Sequence, residues 1–193
     1  GQRAELAIRL SLMKKYPDNA ELPKFVAQAK LRLSDRERQR ERADGADKLA
    51  DEAMAIMEEA LKRTPTSGMY YAAAEVSQAR EGQLIELNRR NSAKYKQELV
   101  NEARQRKQEQ FAKAQELARP DDPMYVYVHI AAAHAVNNDE EAEKILRKLM
   151  GERPDDQQVR LALAEHLAGK KETRNEALEI LDKQFAAGEF KGP

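Results

Sequence analysis

Hydrophobic residues recur at helical spacing along nearly the whole chain. In the segment EEAEKIL, Ala142 and Leu146 stand four residues apart, and Ala177 and Leu181 repeat that spacing in NEALEIL. Because no stretch alternates strictly between apolar and polar residues, as a half-buried strand does, the pattern predicts an all-α protein. The predicted helices span about residues 3–16, 20–42, 46–63, 68–88, 92–118, 122–136, 139–151, 156–168 and 173–187.

Four prolines mark where predicted helices end. Proline lacks the amide hydrogen that a helix interior needs and clashes with the preceding turn. Pro17, Pro65, Pro120 and Pro154 follow apolar helical segments, and their successive separations are 48, 55 and 34 residues. These prolines divide the chain into units of two helices each.

Residues that can cap a helix N-terminus support the same division. A Ser, Thr, Asp or Asn side chain, followed three residues later by Glu or Gln, can satisfy backbone amides in the first helical turn. The pair at Ser34 falls inside the second predicted helix and predicts a break there. The candidate pairs are Asp18 with Glu21, Ser34 with Glu37, Asn138 with Glu141, Asp155 with Gln158, and Thr173 with Glu176.

The tetrapeptide RPDD occurs twice, at 119–122 and 153–156, with an offset of 34 residues. A period of 34 residues is typical of two-helix repeats that stack into solenoids. The two earlier proline intervals exceed it by 14 and 21 residues. We therefore expect enlarged N-terminal repeats whose hairpin tips, at 34–45 and 82–92, protrude and are mobile. The expected units of a single solenoid are a partial repeat at 1–17, enlarged repeats at 18–65 and 66–120, and repeats at 121–154 and 155–188.

Residues 119–188 resemble two tetratricopeptide (TPR) repeats. Small residues stand where paired helices touch in that family, and Pro154 closes a second helix at the expected distance of 12 residues from Ala142. The resemblance implies a right-handed superhelix of antiparallel helix pairs, an α-solenoid, with lengthened helices in the N-terminal repeats. Its first helices would line a concave groove. The residues that match the family's small and apolar positions are Ala131, Ala164, Ala142, Ala177, Leu146 and Leu181.

The helix predicted at 122–136 is apolar nearly all round, so its two faces must be distinguished by spacing. Tyr127, Ile130, Ala131 and His134 recur at helical spacing and are predicted to pack on the partner helix. Tyr125 and its neighbours would then face the open groove. By analogy with the family, the partner-binding residues are Tyr70, Ser77, Tyr125, His129, Gln158 and Glu165.

Composition adds few chemical possibilities. The chain has no cysteine, which excludes disulfides and thiolate metal sites and leaves the cellular compartment open, with a cytoplasmic location slightly favoured. His129 and His134 are five residues apart, so they lie about 140° apart on a helix and cannot share a metal. No glycine-rich phosphate loop is present. We expect no catalytic residue, metal or cofactor.

Charge argues against nucleic acid as the partner. Lys and Arg number 34, as do Asp and Glu, so the formal net charge is zero. The basic runs at 35–42 and 104–107 are consistent with solvated helix faces. However, EEALKRTPTSGMYYAAAE at 58–75 resembles the half-a-TPR repeats of RNA-processing factors. That resemblance keeps an RNA-associated function as an alternative.

The predicted function is that of a non-catalytic scaffold that binds a protein or peptide through the concave face of its repeats. Amphipathic aromatic residues beside polar ones suit such a surface. The alternatives are an RNA-processing assembly factor and a structural spacer within a larger assembly. The oligomeric state stays open, and the opening segment predicts a second helix whose partner precedes it, as in a fragment of a longer protein.

Overall fold

The all-α prediction is confirmed. The computed structural model describes residues 1–16, 19, 21–40 and 42–186, and these form nine α-helices and no strand. The predicted boundary at Pro17 and the predicted cap Asp18 lie outside the described residues. The helices are α1 (Gln2–Lys15), α2 (Glu21–Gln39), α3 (Ala43–Arg63), α4 (Ser67–Arg90), α5 (Gln97–Leu117), α6 (Tyr125–Ala135), α7 (Asp139–Glu152), α8 (Gln157–Ala168) and α9 (Arg174–Ala186).

Helices α2 to α5 are longer than helices α6 to α9, as the proline intervals predicted. Helices α2 to α5 have 19, 21, 24 and 21 residues. Helices α6 to α9 have 11, 14, 12 and 13. At a rise of about 1.5 Å per residue, the longest helix is nearly 20 Å longer than the shortest.

The helix starts agree with the capping pattern in part. Asn138 caps α7 as predicted, because its Oδ1 accepts the amides of Glu140 and Glu141 at 3.0 and 3.1 Å. Asp156, rather than the predicted Asp155, caps α8. The break predicted at Ser34 is wrong: α2 is continuous, and Ser34 is fully buried in its second half. A buried side chain on a packed face does not mark a helix end.

The described residues form two compact units, the first ending at Leu117 and the second beginning at Ala118. In unit 1, α2 pairs with α3 and α4 pairs with α5, while α1 packs on α2, α3 packs on α4, and α2 also contacts α4. The α4–α5 pair is antiparallel, since Ser67 at the start of α4 bonds the Ala114 carbonyl near the end of α5. Small residues fill the contact between α2, α3 and α4, which lets the helices approach closely. They include Ala27, Ala50, Ala53, Ala60, Ala72 and Ala73, around the fully buried Met57.

Unit 2 repeats the same order of contacts over shorter helices. Helix α6 pairs with α7 and α8 with α9, α7 packs on α8, and α6 contacts α8. Leu146 lies at the centre of its core, with Leu163, Leu167 and Ala177 around it. In each unit, therefore, the second helix of one pair packs on the first helix of the next.

The two hairpin tips of unit 1 pack against each other. Tyr95, from the α4–α5 connection, is 8% exposed, and its hydroxyl accepts a hydrogen bond from Arg38 Nη1 of α2 at 2.8 Å. The same hydroxyl donates to Asp47 of α3, which also pairs with Lys94 at 2.9 Å. The contacts of Arg38 with Tyr95 and Asp47 bind the first predicted tip, at 34–45, to the chain beside the second, at 82–92. That the two tips protrude and are mobile stays a prediction.

Candidate protein-binding surface

The face of α6 that packs against the core is opposite to the predicted one. Tyr125 and His129 are each 7% exposed, whereas Tyr127 is 46% exposed. Ala131 is half-buried and His134 is exposed. The prediction of the inward face is therefore wrong for Tyr127 and His134, and Tyr125 does not face an open groove. Ile130, predicted on the same face, does pack against the core.

The 34-residue period contains the signal that would have avoided this error. With an offset of 34 residues, Tyr125 in one repeat is equivalent to Val159 in the next. Both are buried in one apolar cluster with Leu149. By the same offset Tyr127 is equivalent to Leu161, and both are exposed. Equivalent positions in successive repeats share their burial, so comparing the two helices distinguishes faces that a single apolar helix does not.

Tyr125 and His129 have structural roles in unit 2. The Tyr125 hydroxyl donates to Glu152 Oε2 at 2.6 Å, which joins α6 to the end of α7. Burial, together with this carboxylate, raises the pKa of Tyr125 to about 12. The His129 ring donates from Nδ1 to the Tyr125 carbonyl at 2.8 Å. Neither side chain is available to an external partner in this arrangement.

Of the two sites predicted on α4, Ser77 is packed within unit 1. Ser77 is fully buried, and its hydroxyl donates to Gln110 Oε1 of α5 at 2.6 Å. Tyr70 is half-buried. Ser77 therefore belongs to the α4–α5 contact rather than to an open face.

Gln158 and Glu165 are exposed on α8, as a binding role requires. Gln158 Nε2 donates to the Tyr127 hydroxyl at 3.1 Å, which brings these α8 residues beside α6. The structure thus joins Gln158 to Tyr127, and not to the predicted Tyr125 and His129. We call the resulting set the α6–α8 surface; it consists of Tyr127, Ala131 and His134 on α6 and Gln158, Leu161 and Glu165 on α8.

The α6–α8 surface combines apolar area with a few polar groups. Tyr127 and Leu161 are exposed to 46% and 37%. The side-chain amide of Gln158 can both donate and accept hydrogen bonds, and Glu165 is the acidic residue of the surface. Such a mixture of an aromatic ring, an aliphatic side chain and few charges is typical of surfaces that bind proteins or peptides.

Several basic side chains of the two runs form ion pairs inside unit 1. Arg104 and Lys107 bind the buried Glu81 at 2.8 and 2.7 Å. Burial alone would raise the pKa of Glu81, but the hydrogen bonds from Lys107 and Arg104 outweigh it and leave the pKa below its ordinary value. Arg106 pairs with Glu58 at 3.0 Å. These cations are already neutralised by carboxylates of their own unit.

Two features that would indicate other functions are absent from the described part of the chain. Within residues 1–16, 19, 21–40 and 42–186, no group of three or more His, Asp or Glu side chains is arranged to hold a metal ion. Among the described helices, none is both long and apolar enough to cross a membrane.

Comparison with known proteins adds no assignment. No family model, no curated protein and no solved structure matches the chain significantly.

Proposed function

We propose that the chain is a TPR-like α-solenoid that binds a protein or peptide partner through the α6–α8 surface. The observation that carries the proposal is the joint exposure of Tyr127 and Leu161 on neighbouring first helices, linked by the bond from Gln158. A second support is the order of helix contacts, which is the same in both units. That order is the one expected when helix pairs stack as repeats.

The chemistry of the α6–α8 surface suggests what the partner presents. An apolar side chain of the partner would lie between Tyr127 and Leu161, where aromatic and aliphatic contacts can act as a binding hot spot. Gln158 would hydrogen-bond a backbone amide or carbonyl group, and Glu165 would favour a basic residue nearby. The partner is therefore an uncharged or mildly basic peptide segment with one large apolar anchor.

The RNA-associated alternative has less support from the side chains. Arg104, Arg106 and Lys107, from the second basic run, pair with Glu81 and Glu58. An RNA site would need those cations for phosphates, and its affinity would fall steeply with salt. A structural spacer would bind no peptide at the α6–α8 surface.

The test is a peptide-display selection on the purified chain, followed by titration of the selected peptides. The double variant Tyr127→Ala and Leu161→Ala should weaken the selected peptides by about tenfold or more, because truncating a hot-spot residue typically costs over 1 kcal/mol. Leu178→Ala is the matched control, since Leu178 is equally apolar and 54% exposed on α9. It should leave binding unchanged.

Two results would contradict the proposal. Selected peptides that bind the double variant as tightly as the original chain would place the site elsewhere. A selection that enriches no peptide, combined with RNA binding that weakens steeply with salt, would favour the RNA-associated function instead.

A further inference from the structure

Helix α1 is apolar on two opposite sides. Leu6, Leu10 and Met13 pack on α2 in one apolar cluster. On the other side, Ile8 and Leu12 are exposed to 62% and 39%. A helix that is apolar on both sides is normally covered on both, and no described residue of the chain covers this second side.

The exposed side continues beyond two residues. Tyr16 follows Leu12 by four positions, directly after the helix end, and is 50% exposed. Phe25 of α2 is 39% exposed and lies under Arg9, whose guanidinium is 5.3 Å from the ring centroid. Ile8, Leu12, Tyr16 and Phe25 together form the surface that we call the α1 face.

The charges at the two ends of α1 are opposite. Glu5 lies in the first turn and Lys15 in the last, at the N-terminal and C-terminal ends where each also suits the helix dipole. Glu5, Ile8, Leu12 and Lys15 follow spacings of three, four and three residues, which is the seam of a two-stranded helix pair. The seam therefore has an apolar centre, an acidic start and a basic end.

Such a seam is complementary to itself when the second copy runs antiparallel. With a two-fold axis beside residue 10, Ile8 meets Leu12 of the second copy, and Glu5 meets Lys15 of the second copy. A parallel arrangement would instead set Glu5 against Glu5 and Lys15 against Lys15. We propose that the chain forms a two-fold symmetric dimer through antiparallel packing of its α1 faces.

This dimer uses a surface of unit 1 and is independent of the α6–α8 surface in unit 2. Two-fold dimers with the same patch on both subunits are the commonest form of oligomer. One helix and two flanking aromatic rings make a small interface, so we expect a dissociation constant on the order of 1–100 μM.

The first test is sedimentation of the whole chain over a concentration range from about 1 μM to about 1 mM. The chain should shift from monomer to dimer, and Ile8→Glu or Leu12→Glu should weaken the dimer by about tenfold or more. Both side chains are exposed, so circular dichroism should show an intact fold. Leu178→Glu on α9 is the matched control and should leave dimerisation unchanged.

The second test reverses the end charges and mixes the products. Glu5→Lys makes both ends of the seam basic, and Lys15→Glu makes both ends acidic, so each variant alone should dimerise less well than the original chain. An equimolar mixture should form heterodimers, since the lysine introduced at position 5 of one chain then meets the glutamate introduced at position 15 of the other. Native mass spectrometry separates these species when one of the two variants is uniformly labelled with ¹⁵N, because Glu and Lys residues have nearly the same mass.

The mixing experiment is not affected by the ion pairs that each variant loses within its own chain. Glu5 also pairs with Arg9 and Arg32 within its own chain at 2.7 and 3.4 Å, and Glu5→Lys removes those pairs. Mixing cannot restore them, so recovery in the mixture can come only from contacts between chains. A chain that stays monomeric at every concentration, dimerisation that survives Ile8→Glu, or a mixture without heterodimer enrichment would overturn the proposal.

Discussion

Units 1 and 2 use the same order of helix contacts but stabilise it by different means. In unit 2, short helices close around aliphatic side chains such as Leu146 and Leu163. In unit 1, the helices extend past their alanine-rich core, and their outer turns are joined by polar bonds such as Glu81 with Lys107 and Asp47 with Arg38. Lengthening a repeat therefore adds helical turns that polar side chains hold together, beside the apolar cluster of Leu84, Tyr95 and Val100.

The difference extends to the first helices of each pair. In unit 1, Lys24 of α2 pairs with Glu75 of α4 at 2.5 Å, and Gln83 donates to Asp35 at 2.8 Å. In unit 2, Tyr127 receives a single bond from Gln158 and keeps much of its ring exposed. The first helices of unit 1 satisfy each other's polar groups, while those of unit 2 leave apolar area for a partner.

The largest expected effect distinguishes the buried tyrosine of α6 from the exposed one. Tyr125→Ala should lower the free energy of unfolding by about 3–5 kcal/mol, because it empties a buried aromatic site and removes the bond to Glu152. Tyr127→Ala should change it by less than about 0.5 kcal/mol, since that side chain is largely exposed. Urea unfolding followed by circular dichroism measures both. Equal destabilisation by the two variants would refute the burial difference between the two tyrosines.

The ion pairs of Glu81 in unit 1 should make the free energy of unfolding depend on pH. The pKa of Glu81 is below its ordinary value of 4.5, so the folded state binds fewer protons there than the unfolded state. Its contribution is therefore complete above about pH 4.5 and is lost as the pH falls below that value. At pH 7, Glu81→Gln should cost about 1.5–3 kcal/mol, because it weakens hydrogen bonds between charged groups.

The measurement is the melting temperature of the original chain and of Glu81→Gln from pH 7 to about pH 3. The difference between the two melting temperatures should decrease to zero as the pH falls below about 4.5. Glu116→Gln is the control: Glu116 pairs with Lys113 on the exposed side of α5, and such pairs contribute under about 1 kcal/mol. A gap for Glu81→Gln that stays constant with pH would show that its ion pairs do not stabilise unit 1.

The positions and the type of the helices could be predicted from the sequence because the signals are local. Prolines, capping residues such as Asn138, and the helical spacing of apolar residues each act within a few positions along the chain. Extra residues between Pro65 and Pro120 appear as longer helices for the same reason, since a helix lengthens by whole turns without a change of face. These features need no knowledge of what packs against each helix.

The faces of α6 and the packing of the hairpin tips could not be predicted in the same way. The segment YVYVHIAAAHA is apolar on every side, so its own spacing contains no preference for one face. The contact of Tyr95 with Arg38 joins residues 57 positions apart. Such contacts depend on how successive hairpins stack, which local periodicity does not determine.

The smallest expected effect distinguishes two buried serines of unit 1. Ser77 donates to Gln110, whose side-chain oxygen would lose its partner in Ser77→Ala, so this change should cost about 1–3 kcal/mol. Ser34 is equally buried, but its hydroxyl has no hydrogen-bond partner among the described residues. Ser34→Ala removes an unsatisfied polar group and a weaker helix former, and it should raise the free energy of unfolding by about 0.5 kcal/mol. Urea unfolding of the two variants side by side measures the difference, and a loss of stability in Ser34→Ala would show that its hydroxyl is bonded in solution.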